Sequence, residues 1–328
     1  MAGCSISTVS HVLNNNTSFF GEDTRKRVME IVEKTHYTLN SCGRNLRTGK
    51  TETIGLVFYR PNTDIFKSEF YLSMMYGFQK KLSESGYDLL LSELTKTQIE
   101  ENRLPSFIGR SKADALVALG GFPQIALDKI LKANMPTVML DSFHPQLDSI
   151  LTNGRKASSE IVKYLYSCGH RHIEYFLYGN GDYNSNMRAK GFEDAVKNLG
   201  LDQKLCVVHN DLADNSGAAA AMEKTLSQKK VPTAIMGAND CIVTFLMSYA
   251  QAKGIRVPSD ISFFGFDDVL LATRCTPQLS TVHTDTNLMG EVGAEIILER
   301  LKNPDMPKVK KVFEVPLVFR DSVKKLAR

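Results

Sequence analysis

Short apolar runs alternate with amphipathic segments along the chain from residue 53 onward. Eight of these runs are predicted strands: Ile54–Tyr59, Asp88–Ser92, Ala115–Leu119, Thr137–Leu140, Ile173–Tyr178, Leu205–Val208, Ala234–Gly237 and Ile261–Phe266. The segments between them carry apolar residues at helical spacing: Tyr71–Ser85, Ile125–Ala133, Ala157–Ser167, Met187–Leu199, Ala218–Ser227 and Ile242–Lys253. Such alternation is typical of parallel sheets covered by helices on both faces, and there are too many strands for one regular sheet. The pattern predicts an α/β fold with two doubly wound parallel-sheet lobes.

The last part of the chain departs from this alternation. Leu279–His283 is predicted to be extended, and Asn287–Lys302 is predicted to be a helix that Pro304 stops. Lys310–Phe319 is predicted to be a final extended run.

The first fifty residues have a different, helical pattern. Ser5 is a suitable N-cap for a short helix, in which Val9, Val12 and Leu13 form an apolar stripe. The other faces of this helix carry short polar side chains that can reach phosphates and base edges: Ser7, Thr8, Ser10, His11 and Asn14. A second helical pattern covers Gly21–His36. This arrangement is typical of the second helix of a helix-turn-helix unit, which enters the major groove of DNA.

Only four residues precede Ser5, so we expect the first helix of such a unit to be absent. Without that helix, Val9, Val12, Val28 and Ile31 would lose their cover, and the lost burial would exceed what so small a domain can spare. We therefore expect this end of the chain to be poorly ordered or supported by other contacts. Two explanations fit the missing first helix. The start codon could be assigned downstream of the true one, or the chain could be a genuine truncation that no longer binds DNA.

Composition narrows the class of protein. Hydrophobic residues make up 43% of the chain and charged residues 23%, as in globular proteins, and no apolar run approaches the ~20 residues of a membrane span. The six cysteines have no zinc-type spacing and no secretory signal precedes them, so we expect a cytoplasmic protein with no membrane or metal partner. Neither a nucleophile elbow nor a phosphate loop is present, so we expect no enzyme activity and no cofactor.

Charge is unevenly distributed along the chain. Residues 1–50 hold seven Lys and Arg against four acidic residues, which accounts for three of the four net positive charges. A basic head on a nearly neutral body suits a protein whose head meets phosphates. A solvated helix face would have the same charge pattern.

Four blocks in order make the chain resemble the LacI family of bacterial transcription repressors over essentially its whole length. The first two blocks resemble the turn with recognition helix and the hinge of the family: Ala2–Ser5 with Thr8–Asn14, and Asn40 with Leu46–Gly49. The third block is Ala238–Asp240, where the family has a sugar-facing Asn at the end of a strand. The fourth is Val257–Ser262, followed by Gly265–Asp268 and Pro277–Val282. The resemblance implies a homodimer that binds operator DNA and responds to a small effector.

The resemblance also implies which residues meet DNA. Ile6, Ser7 and His11 would face bases, although Ile6 could instead be a core residue of the head. The side chains that would face the backbone are those of Ser5, Thr8, Ser10 and Asn14. In the hinge, Leu46 would be the minor-groove wedge, and Asn40 and Arg47 would contact phosphates.

For the effector, the resemblance implies a cleft between the lobes, at the carboxyl ends of strands. The polar residues matched by position are Asp141, Arg188, Asn239 and Asp267, with Phe70 and Tyr71 as a stacking face. Arg188 and Asp267 could alternatively be an ion pair that braces the hinge, and the aromatic pair could be core. Asp182 stands where a purine-responsive member has a basic residue, so a sugar or polyol is expected rather than a purine.

We expect two domains on this basis, a partial headpiece with hinge at 1–50 and an effector-binding domain at 51–328. The first lobe would comprise residues 51–151 and 282–308, and the second lobe residues 152–281 and 309–328. Two functions remain open from the sequence: a DNA-binding repressor controlled by a small ligand, or a sugar-binding protein without DNA-binding activity.

Overall fold

The computed structural model describes residues 3–13, 17–35, 49–59, 65–108, 112–178, 182–212 and 214–327. The chain divides into two compact units, Met1–Thr51 and Glu52–Arg328, and each is described by itself.

The first unit contains two α-helices, α1 (Ile6–Leu13) and α2 (Glu22–Thr35), with a short 3₁₀ helix at Thr17–Phe19 between them. Ser5 begins α1 as expected, since its hydroxyl accepts a 3.1 Å hydrogen bond from the backbone N–H of Thr8. Val12 and Val28 are buried, so the expectation that both would lose their cover is wrong. The packing of α1 on α2 provides part of that cover.

The second unit starts with a six-stranded parallel sheet. Its strands run in the order β11–β5–β4–β3–β1–β2 and are β1 (Thr53–Tyr59), β2 (Asp88–Leu94), β3 (Ala115–Leu119), β4 (Thr137–Leu140), β5 (Asp148–Thr152) and β11 (Lys310–Phe313). Helices α3 (Glu69–Glu84) and α11 (Thr286–Lys302) cover one face, and α4 (Lys96–Glu100) and α5 (Gln124–Lys132) cover the other. A 3₁₀ turn at Ile65–Lys67 precedes α3.

A four-stranded parallel sheet forms the second lobe. Its strands run in the order β7–β6–β8–β9 and are β6 (Ile173–Tyr178), β7 (Val208–Leu212), β8 (Ala234–Gly237) and β9 (Ser262–Phe264). One face is covered by α6 (Gly154–Ser167) and α7 (Tyr183–Asn198), and the other by α8 (Asn215–Leu226) and α9 (Asp240–Ala252). The predicted α/β fold with two parallel-sheet lobes is confirmed.

Three short elements complete the unit. Helix α10 (Leu270–Arg274) follows β9, and β10 (Thr281–Val282) pairs antiparallel with β12 (Leu317–Val318). The predicted extended run Lys310–Phe319 is therefore two strands in two different sheets.

Two expectations about strands need correction. The strand predicted at Leu205–Val208 begins only at Val208, because Asp202 starts a turn in which its carbonyl accepts from Leu205 N and its side chain accepts from Lys204 N. Strand β11 lies in the first lobe, whereas residues 309–328 were assigned to the second. The cause is the buried Asp148, whose carboxylate accepts a 2.8 Å bond from Val309 N and thereby places β11 beside β5.

A pair of glycines sets the distance between α3 and α11. A Cβ on Gly77 would lie 2.1 Å from the carbonyl oxygen of Asn287, and one on Gly290 would lie 2.0 Å from that of Met74. Both distances are too short for any larger residue, so the two helices pack backbone to backbone. The start of α3 and the loops at the carboxyl ends of β4, β8 and β9 then face one cleft.

Candidate functional site

A cleft of about 430 Å³ is lined by residues of both lobes of the second unit. All six residues that the sequence suggested for effector binding line it: Phe70, Tyr71, Asp141, Arg188, Asn239 and Asp267. The carboxyl ends of parallel strands supply three of these positions, as expected for open α/β sheets.

Asp141 follows β4 directly and is almost fully buried. Its backbone lies in the left-handed region, with φ 57°, which Asp tolerates better than most residues. Its carboxylate accepts a 3.0 Å bond from the Tyr71 hydroxyl and a 2.7 Å bond from Asn184 Nδ2. Burial raises the pKa of Asp141 to about 6, although the Arg188 guanidinium opposes this shift.

Arg188 lies on the first half of α7 and is only 7% exposed. Its guanidinium stacks over the Phe266 ring at 3.7 Å, and its Nη1 donates to the carbonyl of Ala238. Its Nη2 lies 3.7 Å from Asp267 Oδ1, an ion pair that is too long for a hydrogen bond. Within the protein, Arg188 Nε and Asp267 Oδ1 are both buried without a hydrogen-bond partner, so this pair retains bonding capacity toward the cleft.

Asp267 follows β9 with φ 111°, a conformation that non-glycine residues rarely adopt. Its backbone N–H donates to the carbonyl of Val282 at 2.9 Å, which fixes the turn. Burial raises the pKa of Asp267 well above its usual range, and the Arg188 guanidinium opposes that shift. The Arg188–Asp267 pair does link two elements of the second lobe, so the bracing role and the effector role are compatible.

Asn239 and the aromatic pair have defined structural roles besides lining the cleft. Asn239 is the N-cap of α9, and its Oδ1 accepts a 2.9 Å bond from Ile242 N, which leaves its amide nitrogen for the cleft. The rings of Phe70 and Tyr71 meet edge to face at 5.1 Å. Phe70 belongs to the core of the first lobe, whereas Tyr71 uses its hydroxyl on Asp141.

Several cleft residues were not among the predicted site residues. On α7 these are Asn184 and Ser185, and at the start of α3 they are Ser68 and Glu69. Asn184 could have been found from the sequence because it lies four residues before Arg188, on the same helix face. The sequence analysis used Asp182 only to favour a sugar over a purine and did not predict it as a site residue, but it also lines the cleft.

Among the residues that the structure describes, Asn184 and Glu69 make polar contacts that join the lobes across this cleft. Asn184 Nδ2 donates to both the carbonyl oxygen and the carboxylate of Asp141, at 2.8 and 2.7 Å. The Glu69 carboxylate accepts from the backbone N–H of Leu270, at 3.0 Å to each oxygen. A ligand that competes for either contact would change the relation between the lobes.

In the first unit, the hydroxyls of Ser7 and Thr8 on α1 lie within hydrogen-bond distance of the N-cap residue Ser5. Ser5 Oγ lies 2.6 Å from Ser7 Oγ and 2.9 Å from Thr8 Oγ1, while Ile6 is 91% exposed and so is not a core residue. The His11 ring stacks on the Phe19 ring at 4.3 Å. Four other residues predicted to meet DNA lie outside the described residues: Asn14, Asn40, Leu46 and Arg47.

Within the described ranges, no helix has both the length and the apolar character needed to cross a bilayer. No group of three or more His, Cys, Asp or Glu side chains is arranged to hold a metal ion in the same part of the chain.

Comparison with known proteins agrees with this architecture. A model of bacterial regulatory proteins of the lacI family matches residues 1–40, and a model of a periplasmic binding protein-like domain matches residues 162–323. The HTH-type transcriptional repressor PurR of Vibrio vulnificus (strain CMCP6) is 31% identical over 335 residues, which cover 99% of this chain and 97% of that protein. The ribose operon repressor of Haemophilus influenzae (strain ATCC 51907 / DSM 11121 / KW20 / Rd) is 27% identical over 325 residues. These residues cover 98% of this chain and 96% of that protein.

A solved structure of the lac repressor dimer, bound to operator and the anti-inducer ONPF, has the same fold. It gives a TM-score of 0.85 at 20% identity and covers 98% of this chain and 96% of that one. These relatives are transcriptional regulators rather than enzymes. The chain belongs to the LacI family of bacterial regulatory proteins, as a DNA-binding transcriptional repressor with a small-molecule effector domain.

Proposed function

We propose that the cleft binds a sugar or polyol and that its occupancy sets the affinity of the repressor for operator DNA. The observation that carries this proposal is the convergence of Asp141, Arg188, Asn239 and Asp267 on one cleft. Carboxylates accept two hydroxyl hydrogens each, while a guanidinium and an amide donate to hydroxyl oxygens. Together they satisfy both sides of a polyhydroxylated ring, with Tyr71 and Phe70 beside its C–H face.

Purine bases are the alternative effector class, since curated relatives are named PurR. Asp182 stands where a purine-responsive member of the family has a basic residue, and its carboxylate favours a sugar over a purine base as the effector.

We expect a sugar or polyol, and no purine base, to raise the Tm of the full chain in a thermal-shift panel of pentoses, hexoses, disaccharides, polyols, hypoxanthine and guanine. Asp141→Asn should reduce the Tm increase, and the exposed carboxylate variant Asp128→Asn should keep it in full. Stabilisation by a purine base alone would contradict the proposal.

Effector affinity should depend on pH through Asp141. The groups that face this carboxyl are Arg188, Asp182, Tyr71 and Asn184. Its pKa in the free protein is raised to about 6, and hydroxyls that donate to the carboxylate favour the ionised form, so binding expels the proton. We expect affinity to be constant above about pH 7 and to fall by up to about tenfold per pH unit below pH 6.

Isothermal titration at pH 5 to 8 would measure this dependence. Asp141→Asn should lose the Asp141 component of the pH profile, and Asp128→Asn should retain it. Affinity that rises as the pH falls would contradict the assignment.

We propose that the head, residues 1–50, contacts the operator through the exposed side of α1. Ile6, Ser7 and His11 would meet bases, and Ser5, Thr8 and Ser10 would meet the backbone, joined by Asn14 and by the hinge residues Asn40, Leu46 and Arg47. The exposed Ile6 and the cluster of hydroxyls around Ser5 support this role. The proposal places the protein in the cytoplasm, where the operator is.

We also propose that the chain is a homodimer in which α3, in the effector-binding domain at residues 51–328, contributes to the interface. Leu72 and Tyr76 are four residues apart on α3 and are 43% and 66% exposed. Two large apolar side chains exposed on one helix face are typical of an interface.

In solution we expect the mass of a dimer by light scattering coupled to size exclusion. Tyr76→Glu should shift the equilibrium toward monomer, because burial of a carboxylate is costly. Lys96→Glu, on an exposed part of α4, serves as the control and should leave the dimer intact. A wild-type mass equal to one chain would contradict this part of the proposal.

A further inference from the structure

The cleft is acidic, which binding of a sugar does not by itself require. Its lining contains four carboxylates, those of Glu69, Asp141, Asp182 and Asp267, and two cations, Lys67 and Arg188. Even with the carboxyl of Asp267 protonated, carboxylates outnumber cations. Charges of the same sign within a few ångströms repel strongly where water is partly excluded, so the cleft opposes a negatively charged ligand.

The cations of the cleft do not offset its excess of negative charge. Arg188 is already engaged within the protein, since its Nη1 donates to the carbonyl of Ala238 and its Nη2 lies 3.7 Å from Asp267 Oδ1. Lys67 and Glu69 are both exposed, where water screens their charges. Among the less exposed groups, the carboxylates of Asp141 and Asp182 still outnumber the one cation, Arg188.

Asp182 occupies the position at which a helix ordinarily binds an anion. It is the N-cap of α7, a helix of 16 residues. One carboxylate oxygen accepts from Ser185 N at 3.0 Å, and the other accepts from Ser185 Oγ at 2.6 Å. The N-terminal amides of a helix attract phosphate and carboxylate groups. Here a carboxylate of the protein itself meets them, and it presents its negative charge to the cleft.

The location of Asp182 is fixed from the opposite lobe. A Cβ built on Gly121 would lie 3.0 Å from the Cβ of Asp182, so the aspartate packs where the first lobe has no side chain. From there its charge acts on Asp141, whose ionisation it disfavours. The carboxylates of Asp141 and Asp182 therefore face the same part of the cleft from the two lobes.

We propose that Asp182 makes the effector cleft selective against anionic ligands, such as sugar phosphates, sugar acids and nucleotides, and so restricts the effector to uncharged molecules. This inference rests on the proposed function, because it refines the class of effector for the same cleft. It assigns to Asp182 a role in specificity rather than in holding the effector.

The test compares neutral ligands with their phosphorylated partners by isothermal titration on the full chain. The pairs are D-ribose with ribose 5-phosphate, D-glucose with glucose 6-phosphate, and hypoxanthine with inosine 5′-monophosphate. The variant is Asp182→Asn, which removes the charge while Asn still caps α7, since Asn and Asp are equally good N-caps. Asp128→Asn removes an exposed carboxylate outside the cleft and serves as the control.

For any pair whose neutral member binds, we expect the anionic member to bind the wild type at least about tenfold more weakly. Asp182→Asn should narrow that gap by about tenfold and change the affinity for the neutral member by less than about threefold, whereas Asp128→Asn should change neither. Equal or tighter binding of the anionic member to the wild type would overturn the inference. So would a gap that Asp182→Asn leaves unchanged, or a panel in which no neutral member binds.

The two proposals fail separately in this experiment. If hypoxanthine binds and no sugar does, the sugar assignment is wrong while charge selectivity is still decided by the nucleobase pair. If a sugar phosphate binds better than its sugar, the sugar assignment stands and the role of Asp182 is wrong.

Discussion

Arg188→Met should weaken binding of the effector at least about a hundredfold. Arg188 is the buried cation of the cleft, and its Nε has no partner within the protein. A hydrogen bond from a charged donor contributes about 1.5–3 kcal/mol, so the loss of one or two such bonds to a ligand gives a change of this size. Isothermal titration with the sugar identified by thermal shift would measure it.

Two further variants separate a local effect from unfolding. Arg188→Lys keeps the charge but loses the planar fork, so it should recover only part of the affinity. Arg155→Met removes an exposed arginine that pairs with Asp194, and it should bind as the wild type does. Circular dichroism would check that each variant is folded. Unchanged affinity in a folded Arg188→Met would remove Arg188 from the effector site.

Arg300→Met should lower the free energy of unfolding of the second unit by about 3–5 kcal/mol. Arg300 and Asp148 are both buried and form a bidentate pair at 2.7 and 2.9 Å. Arg300 also donates to the backbone carbonyls of Pro304, Met306 and Pro307. The variant leaves a buried carboxylate without its cation and frees the segment that leads into β11.

Urea unfolding followed by circular dichroism would measure this loss. Arg256→Met breaks a pair of the same length, Arg256 with Asp260 at 2.7 Å, in which the arginine side chain is 76% exposed. That control should cost less than about 1 kcal/mol, because exposed pairs contribute little. Similar losses in the two variants would show that burial does not decide the strength of the Asp148–Arg300 pair.

Local sequence patterns were sufficient to predict two parallel-sheet lobes, and the family resemblance supplied six of the residues that line the cleft. Asp141 and Asp267 each follow a buried apolar run, and the rule that ligands meet the carboxyl ends of parallel strands places each of them at the ligand-binding edge of its own sheet. Arg188 lies in the first half of α7, and Asn239 is the N-cap of α9. The topology of each sheet therefore places these side chains on the side of its lobe that faces the cleft.

Contacts between distant segments could not be predicted in this way. The hydrogen bond from Leu270 N to Glu69 joins residues that are 201 positions apart. The local sequence around these two residues does not predict that bond. The position of β11 beside β5 depends on Asp148, a buried charge in a strand that the sequence analysis did not identify. Long-range register of this kind is decided by a few buried polar groups and not by hydrophobic periodicity.

The glycine contacts between α3 and α11 have a mechanical consequence. With Gly77 and Gly290 in backbone contact, the two helices cannot slide past each other without a collision of main-chain atoms. The near end of this helix pair, beside the cleft, carries Phe70 and Tyr71. Its outer side carries Leu72 and Tyr76. In the proposed dimer, an effector that displaces the near end would therefore also displace the exposed face of α3 that carries Leu72 and Tyr76.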